Sequence, residues 1–436
     1  LNARNRHHWA RSGFVSQLLA LLTGSALSQV VLLVGYFVLA SWYSPHELGQ
    51  LRVFTAIALT AALLVNGGYD TAIMLPKRED EALSLLALCG RIALLVLLLS
   101  TPLAFVFQGD MAHWMQTPVL GTWGVWLPFS VVAEGFGAAL HQYLVRGRQY
   151  RQISIVLLAH AVVFIGIGLL GSMIDRSPAL LIQAFLVAQA LRFTLYMVLA
   201  RKMWVKAGLR LAWRVGVIGR KYNQYPTYHL GSRLANHASR ELVAPVLSVL
   251  YGSAAAGIYG MAIQILYLPM RFINQAMPQV FYQRVAKART LSQAMVRGQT
   301  LQAIFIMLLL NGIPTLLLAL AGPWLFVQLL GQAWQGAGGV VRWLAAFAVV
   351  SGIVSPITSL VNIRSRLKAF FGFNVLLLFS RLGAIWLGFW FMGFWTSVAL
   401  YGVVALVGAI ILGLWMLRLA SIWGSSANGT ENGANG

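Results

Sequence analysis

The chain has 436 residues, of which 59% are hydrophobic and only 10% charged. A soluble protein of this length cannot hide so much apolar side chain, which excludes a water-soluble globular fold and leaves an all-α polytopic membrane protein. The formal net charge of +22 does not point to nucleic acid, because the basic residues fall where the positive-inside rule puts them, in cytoplasmic loops.

A bilayer core takes about 20 helical residues per crossing. On that scale the sequence predicts twelve spans. The first six are 14–42, 51–75, 82–107, 120–145, 153–173 and 179–200. The second six are 225–250, 254–281, 300–330, 340–361, 369–392 and 396–419. The first apolar stretch is too long for a cleaved signal peptide and lacks a small-x-small cleavage site at its end. The single cysteine, Cys89, lies inside an apolar run, so no disulfide framework is expected. Charge tests the count. The N-terminal segment and the even-numbered loops hold 22 basic residues, among them Lys77, Arg148, Lys206 and Arg289, whereas the odd-numbered loops hold one, Arg176. One span more or fewer would scramble that alternation. The same alternation puts both termini in the cytoplasm.

The longest linker, 201–224, is basic and contains Leu209, Leu211, Trp213, Val215 and Ile218. It reads as an interfacial segment on anionic lipid. It separates an N-terminal six-helix lobe, 1–200, from a C-terminal one, 225–419, and 420–436 is expected to be a disordered cytoplasmic tail. Weak echoes relate the halves. Gly24-Ser25-Ala26-Leu27 matches Gly231-Ser232-Arg233-Leu234 in shape, and Tyr43 to Gly49 matches Tyr251 to Gly257. Six spans per half preserve orientation, so the repeat is parallel, a pseudo-twofold along the membrane normal, of the kind that encloses a central cavity.

Charges inside the bilayer normally face protein or water. In span seven His229, Arg233, His237 and Arg240 recur at helical spacing beside Asn236. In span eight Gln264, Tyr267, Arg271, Asn274 and Gln275 form a second stripe. Span two adds Arg52, Asn66 and Asp70, and span six adds Gln189, Arg192 and Tyr196. The buried acids Asp70, Glu134 and Glu241 are outnumbered by Arg52, Arg91, Arg192, Arg233, Arg240, Arg271 and Arg381. The functional reading is a hydrated cationic cavity suited to phosphate oxygens. The alternative is structural pairing of Arg with acids between helices, or snorkelling for Arg52 and Arg342. Arg233 and Arg271 have no acid at i±3 or i±4 on their own helices, which leaves them open to an anion unless another helix supplies an acid. The candidate substrate contacts are thus Arg52, Arg233, Asn236, His237, Arg240, Gln264, Tyr267, Arg271 and Asn274. The candidate ion-coupling carboxylates are Asp70, Glu134 and Glu241.

Signatures of enzyme chemistry are missing. There is no P-loop, no His-Glu-x-x-His, no Cys pair and no G-x-S-x-G. His141, His160, His229 and His237 lack metal-ligand spacing, so neither a metal nor another cofactor is expected.

Tyr225-Pro226, Tyr251-Gly252, Gly257-Ile258-Tyr259, Pro269 and Ala276 to Phe281, with Pro45-His46-Glu47-Leu48-Gly49 in the first half, give a family resemblance. The chain resembles bacterial polysaccharide exporters, the O-antigen (Wzx-type) flippases of the multidrug/oligosaccharidyl-lipid/polysaccharide superfamily. The resemblance implies two six-helix lobes around a cationic cavity. It also implies a lipid-linked oligosaccharide, an undecaprenyl pyrophosphate glycan, moved from the cytoplasmic to the periplasmic leaflet for lipopolysaccharide or related surface glycans. Membrane lipids, a glycan polymerase and chain-length machinery are the implied partners, and nucleic acid is not. A multidrug exporter of the same superfamily is the nearest alternative, although an Arg-rich cavity repels organic cations. A membrane glycan polymerase or ligase is disfavoured by the short outer loops.

The topology has a direct test. Reporter fusions at Lys77, Arg148, Lys206 and Arg289 should report cytoplasm, and fusions at His46, Asp110 and Gln335 the opposite side. Two adjacent loops reporting the same side would break the twelve-span count.

Overall fold

The computed structural model describes residues 26–207, 215–223, 225–267, 293–358, 367–391 and 393–421. These residues are helical almost throughout and contain no strand. The first six spans are α1 (Ala26–Trp42), α2 (Pro45–Val65), α3 (Glu79–Trp114), α4 (Leu127–Arg146), α5 (Tyr150–Ser172) and α6 (Pro178–Ala207). Beyond the linker come α7 (Leu230–Glu241), α8 (Val243–Tyr251) and α9 (Ser253–Leu266). The last four are α10 (Gln293–Leu330), α11 (Gln335–Ile357), α12 (Leu367–Phe391) and α13 (Phe394–Ser421). Among the described residues nine helices are long and apolar enough to cross a membrane, and they coincide with expected spans two to six and nine to twelve. Span one is the helix Ala26–Trp42, span seven is divided over α7 and α8, and span eight is α9. The twelve-span all-α membrane fold expected from charge and hydropathy is therefore the fold observed.

Two spans differ in detail from expectation, each for a local reason. Span two starts at Pro45 rather than 51, because Ser44 and Glu47 form a capping box and Pro45 opens the first turn. It stops at Val65 rather than 75, because Gly67 and Gly68 take φ of +53° and +76°. A single helical turn, Tyr69–Ala72, follows. Span seven is not one helix. A π-helical turn, Tyr225–His229, leads into α7, and the chain breaks again at Leu242 before α8. Pro245 lacks the N–H that the carbonyl of Glu241 would accept, so the α7 ladder cannot run through.

Packing divides the chain into two compact units, 1–257 and 258–436. In the first, α2 lies on α4, α4 on α3 and α6, and α5 on α6; α7 and α8 both pack on α2. In the second, α10 lies on α11, α12 on α13, and α13 on α11. The repeat places its lobe boundary in the linker 201–224; the packing division falls later, so α7 and α8 count with the first unit. At the basic-loop end of the first unit, Glu79 accepts hydrogen bonds from Tyr143 Oη (2.7 Å) and Arg146 Nε (3.3 Å). There too Lys221, closing a short helix (Val215–Lys221), reaches Glu81 at 2.8 Å. Long stretches of the spanning helices present apolar side chains outward. Leu98, Leu99 and Phe105 of α3 and Leu316, Leu317 and Leu320 of α10 are more than half exposed, as lipid contact requires.

Glycines decide two close approaches. The first joins the paired segments that echo each other in sequence. A Cβ on Gly49 would run into the carbonyl of Ser253, and a Cβ on Gly257 into the carbonyl of Pro45. Residues 45 and 49 stand to 253 and 257 at one constant offset, so the contact is reciprocal, as a local two-fold demands. The second is at Gly68, where a Cβ would stand 2.9 Å from Tyr225 O and 3.2 Å from Leu230 Cβ. There the break in span two meets the π turn of span seven.

Gly68→Ala should therefore destabilise the fold by about 1–3 kcal/mol, through both the left-handed backbone and the clash. Gly166→Ala on α5, where an added Cβ meets nothing within 4 Å, should be neutral or stabilise by up to about 1 kcal/mol. Denaturation in detergent compares the two, and equal effects would contradict the assigned backbone at Gly68.

Candidate functional site

The polar residues of span seven sit on α7, whose small residues Ser232, Ala235, Ala238 and Ser239 are buried. Small side chains let helix backbones approach closely in a membrane, and here the partner is α2. The approach sets two ion pairs. Arg233 Nη1 donates to both oxygens of Asp70, at 2.9 and 3.1 Å. Arg52 Nη2 lies 2.6 Å from Glu241 Oε2. Asp70 can reach Arg233 because the Gly67–Gly68 break redirects the chain into the turn that contains it. The two pairs are crossed: span two contributes Arg52 and Asp70, and α7 contributes Glu241 and Arg233.

The pairs are not sealed. Asp70 is 6% exposed, but the Arg233 side chain is 33% exposed, and both members of the Arg52–Glu241 pair are 21% exposed. Between them along α7 lie Asn236 and His237. His237 feels the charges of Glu241, Arg240, Arg52 and Arg233, and its Nε2 is buried with no hydrogen-bond partner among the described residues. Arg240 is exposed; its Nε donates to Asn236 O at 3.4 Å, and no carboxylate pairs with it among the described residues. The seam thus holds two neutralised arginines, one uncompensated cation and a buried histidine nitrogen.

A second polar cluster joins α4 to α6. Arg192 Nη2 pairs with Glu134 Oε2. Gln189 Nε2 donates to the same carboxylate at 3.3 Å, and Ser130 Oγ donates to Gln189 Oε1 at 2.8 Å. His160 Nε2 and Tyr196 Oη are buried without hydrogen-bond partners among the described residues. The ring of His141 lies 5.9 Å from that of Tyr196.

The structure therefore brings Arg52, Asp70, Arg233, Asn236, His237, Arg240 and Glu241 into one seam, while Glu134 belongs to the α4–α6 cluster. Arg233 has no acid on its own helix, and of the alternatives left open by the sequence the structure shows pairing with an acid from another span, Asp70. Each candidate coupling carboxylate is paired with an arginine from another helix. Gln264 lies on α9, and Tyr267 packs with Phe347, Ala405 and Ala409 in the second unit. Arg381 is buried there with its guanidinium 5.1 Å from the Phe347 ring centre, whereas Arg91 is exposed on α3. Arg271 and Asn274 lie outside the described residues, as does the side chain of His229. Among the described residues no cluster of three His, Cys, Asp or Glu could hold a metal. The interhelical partners, and the Ser130–Gln189 link, were not identifiable from the sequence, since none lies at helical spacing from its partner.

Comparison with known proteins agrees with this architecture. No curated protein matches the chain. Among solved structures it is similar to an inward-facing multidrug resistance MATE family transporter of the MOP superfamily, with a TM-score of 0.70 at 14% identity, covering 92% of this chain and 95% of that one. It is similar to the lipid II flippase MurJ in an inward closed conformation, with a TM-score of 0.69 at 12% identity over 93% and 90% of the two chains. A MOP superfamily transporter from Pyrococcus furiosus, described as having a binding pocket of reverse polarity, gives 0.62 at 13% identity over 93% and 96%. These likenesses establish the fold. The pattern of one family, polysaccharide biosynthesis protein, matches residues 38–338, a stretch that includes α2, the Asp70 turn, α7 and α8, and the chain belongs to that family.

Proposed function

We propose that the protein is a flippase that moves an undecaprenyl-pyrophosphate-linked oligosaccharide from the cytoplasmic to the periplasmic leaflet of a bacterial inner membrane by alternating access. Its product would feed surface polysaccharide synthesis, O-antigen being one such glycan, and would pass to a glycan polymerase and chain-length machinery. Both termini lie in the cytoplasm in this reading. The family and the fold support a role in moving a glycan precursor. The observation that bears the reading is the Arg233–Asp70 pair, with Arg233 one-third exposed and Arg240 two turns further on, in no ion pair among the described residues.

The pair allows a physical mechanism. An unpaired arginine in the bilayer is costly, so the empty protein holds Arg233 against Asp70. A pyrophosphate presents more charge and more acceptor oxygens than one carboxylate, and it competes for the planar guanidinium. Arg240 adds positive charge and Asn236 offers hydrogen bonds to sugars or phosphate, and Gln264, Tyr267, Arg271 and Asn274 are the span-eight candidates that the sequence adds to this reading. Protonation of Asp70 would release Arg233 and couple anion binding to a proton, and Glu241 offers the same logic at Arg52. Glu134, held by Arg192 and Gln189, is the third carboxylate able to exchange a proton. A multidrug exporter of organic cations fits less well, because the three intramembrane acids are occupied by arginines.

The test is binding and export. Arg233→Ala should weaken binding of undecaprenyl pyrophosphate roughly ten- to a hundred-fold, equivalent to about 1.5–3 kcal/mol, and should stop glycan export while the protein still inserts. Arg233→Lys should rescue in part, since charge returns without the planar fork. Asp70→Asn should bind the lipid at least as tightly as the native protein but lose its response to a proton gradient. Unchanged binding in Arg233→Ala would remove the anion reading, and export indifferent to dissipated gradients would remove the coupling.

A further inference from the structure

A hydrogen-bonded network at the opposite end of span two from Asp70 is not used by the seam described above. It lies in the odd-numbered loops, the face that basic residues avoid. His46, in the first turn of α2, is exposed. Its Nε2 is 2.9 Å from Gln50 Nε2, one turn on, and its Nδ1 is 2.7 Å from Ser253 Oγ, at the start of α9. Gln50 is only 2% exposed, and its Oε1 accepts from the backbone N–H of Val119 at 3.1 Å.

These contacts settle the proton on His46. The Val119 amide can only donate, so it fixes the oxygen of the Gln50 carboxamide and turns the NH₂ toward His46. His46 Nε2 must then accept, so the imidazole is neutral with its proton on Nδ1, facing Ser253. A second proton on Nε2 would set donor against donor. Gln50 could not turn to relieve it without abandoning the buried Val119 N–H, which is itself costly. The clasp closes over the reciprocal Gly49–Gly257 contact, where two backbones meet with no side chain between them.

The charged groups nearest it are few: Arg52, paired with Glu241, lies further along α2, and Asp175 and Arg176, which act on Tyr43, lie in another odd-numbered loop. On its own helix the neighbour is Glu47, whose carboxylate is occupied by Ser44 N and Oγ. The 115–119 turn holds no titratable residue, though Asp110 and His113 precede it on α3. The 251–257 segment holds only Tyr251. Other ties across this face, Gln116 Nε2 to Val249 O at 3.0 Å and Ser248 Oγ to Met115 O at 2.6 Å, involve no group that titrates near neutrality.

We propose that His46 is a proton-operated clasp on this face: neutral, it ties α2 to the 115–119 turn through Gln50 and to the start of α9 through Ser253; protonated from the adjoining solution, its ring swings away from the Gln50 NH₂, its Nδ1–H leaves Ser253 with it, and the segments part. Histidine is the side chain suited to this, because its charge changes between about pH 5 and 8. If the face is the outer one, acid outside the cell would favour opening outward, in the direction that releases an exported cargo. Only the direction of opening rests on the transport reading; the clasp itself does not.

Hydrogen–deuterium exchange on the full chain in nanodiscs, with no cargo present, tests it. After correction for the intrinsic effect of pH, peptides covering 115–121 and 251–257 should exchange about tenfold faster at pH 5.5 than at pH 7.5, a change of about 1.4 kcal/mol in opening. His46→Gln, neutral at both values, should remove that difference. His46→Lys, charged at both, should exchange at pH 7.5 as the native protein does at pH 5.5. Native protection that does not fall with pH, or His46→Lys as protected at pH 7.5 as the native protein, would overturn the clasp. Because the readout needs no substrate, failure of glycan export with this pattern intact would count against the proposed function alone.

Discussion

Each carboxylate buried in the membrane-spanning part of the first unit is held by an arginine from a different helix, and the arrangement of α2, α4, α6 and α7 follows from that pairing. A single charge near the middle of a spanning helix costs about 2.5–3.5 kcal/mol to insert. Three acids and their arginines could not be tolerated unless helices were brought into register to join them. Arg52 with Glu241 and Arg233 with Asp70 fix α7 along span two at two points, and Arg192 with Glu134 does the same for α6 on α4. Breaking any one would leave a charge stranded, which is worse than never having had it.

The backbone is shaped to serve these pairs. Span two is interrupted by Gly67 and Gly68 in left-handed conformations, and this interruption turns Asp70 toward α7 instead of continuing a straight helix. Span seven is interrupted at both ends of α7, by the π turn before it and by Leu242 and Pro245 after it. A short α7 with a buried face of Ser and Ala can press against α2 while its polar face keeps Arg233, His237 and Arg240 partly open. At its other end span two meets the start of α9 through Gly49 and Gly257, where backbone touches backbone. Span two thus carries a hydrogen-bonded seam at His46–Gln50, the Arg52–Glu241 pair just beyond it and the Asp70–Arg233 pair at its far end.

Neutralised arginines change how a cationic cavity is understood. Basic residues outnumber acidic ones in the spans, but Arg52, Arg192 and Arg233 of the first unit are each paired with a carboxylate. In the proposed reading an anion would reach Arg233 only in exchange for Asp70, so binding there would be a competition between acceptors rather than simple attraction. That exchange is also the simplest way to join binding to a titratable group, because whatever protonates Asp70 frees the guanidinium. The buried, unpartnered nitrogen of His237 beside both pairs is a further polar group that a ligand or water would satisfy.

Much of this was legible in the sequence. The twelve spans follow from apolar length and from the alternation of basic loops, because the bilayer imposes both on any chain that crosses it, whatever its tertiary contacts. The stripe from Arg233 to Arg240 follows from helical periodicity, and the echo of Tyr43–Gly49 in Tyr251–Gly257 marked two segments that do meet. Periodicity, however, reports only which residues share a face of one helix. It cannot say which residue of another helix faces them, so Asp70 as the partner of Arg233, Glu241 as that of Arg52 and Gln50 as the link from His46 to Val119 became visible only in three dimensions. Those partners are 163, 189 and 69 residues apart in the chain, and only the packing of α7, α8 and the 115–119 turn against span two joins them. Sequence alone determined that the chain spans a membrane and where its polar faces lie; the tertiary structure decided which charges are cancelled and which remain, because that depends on distances between helices that no local pattern encodes.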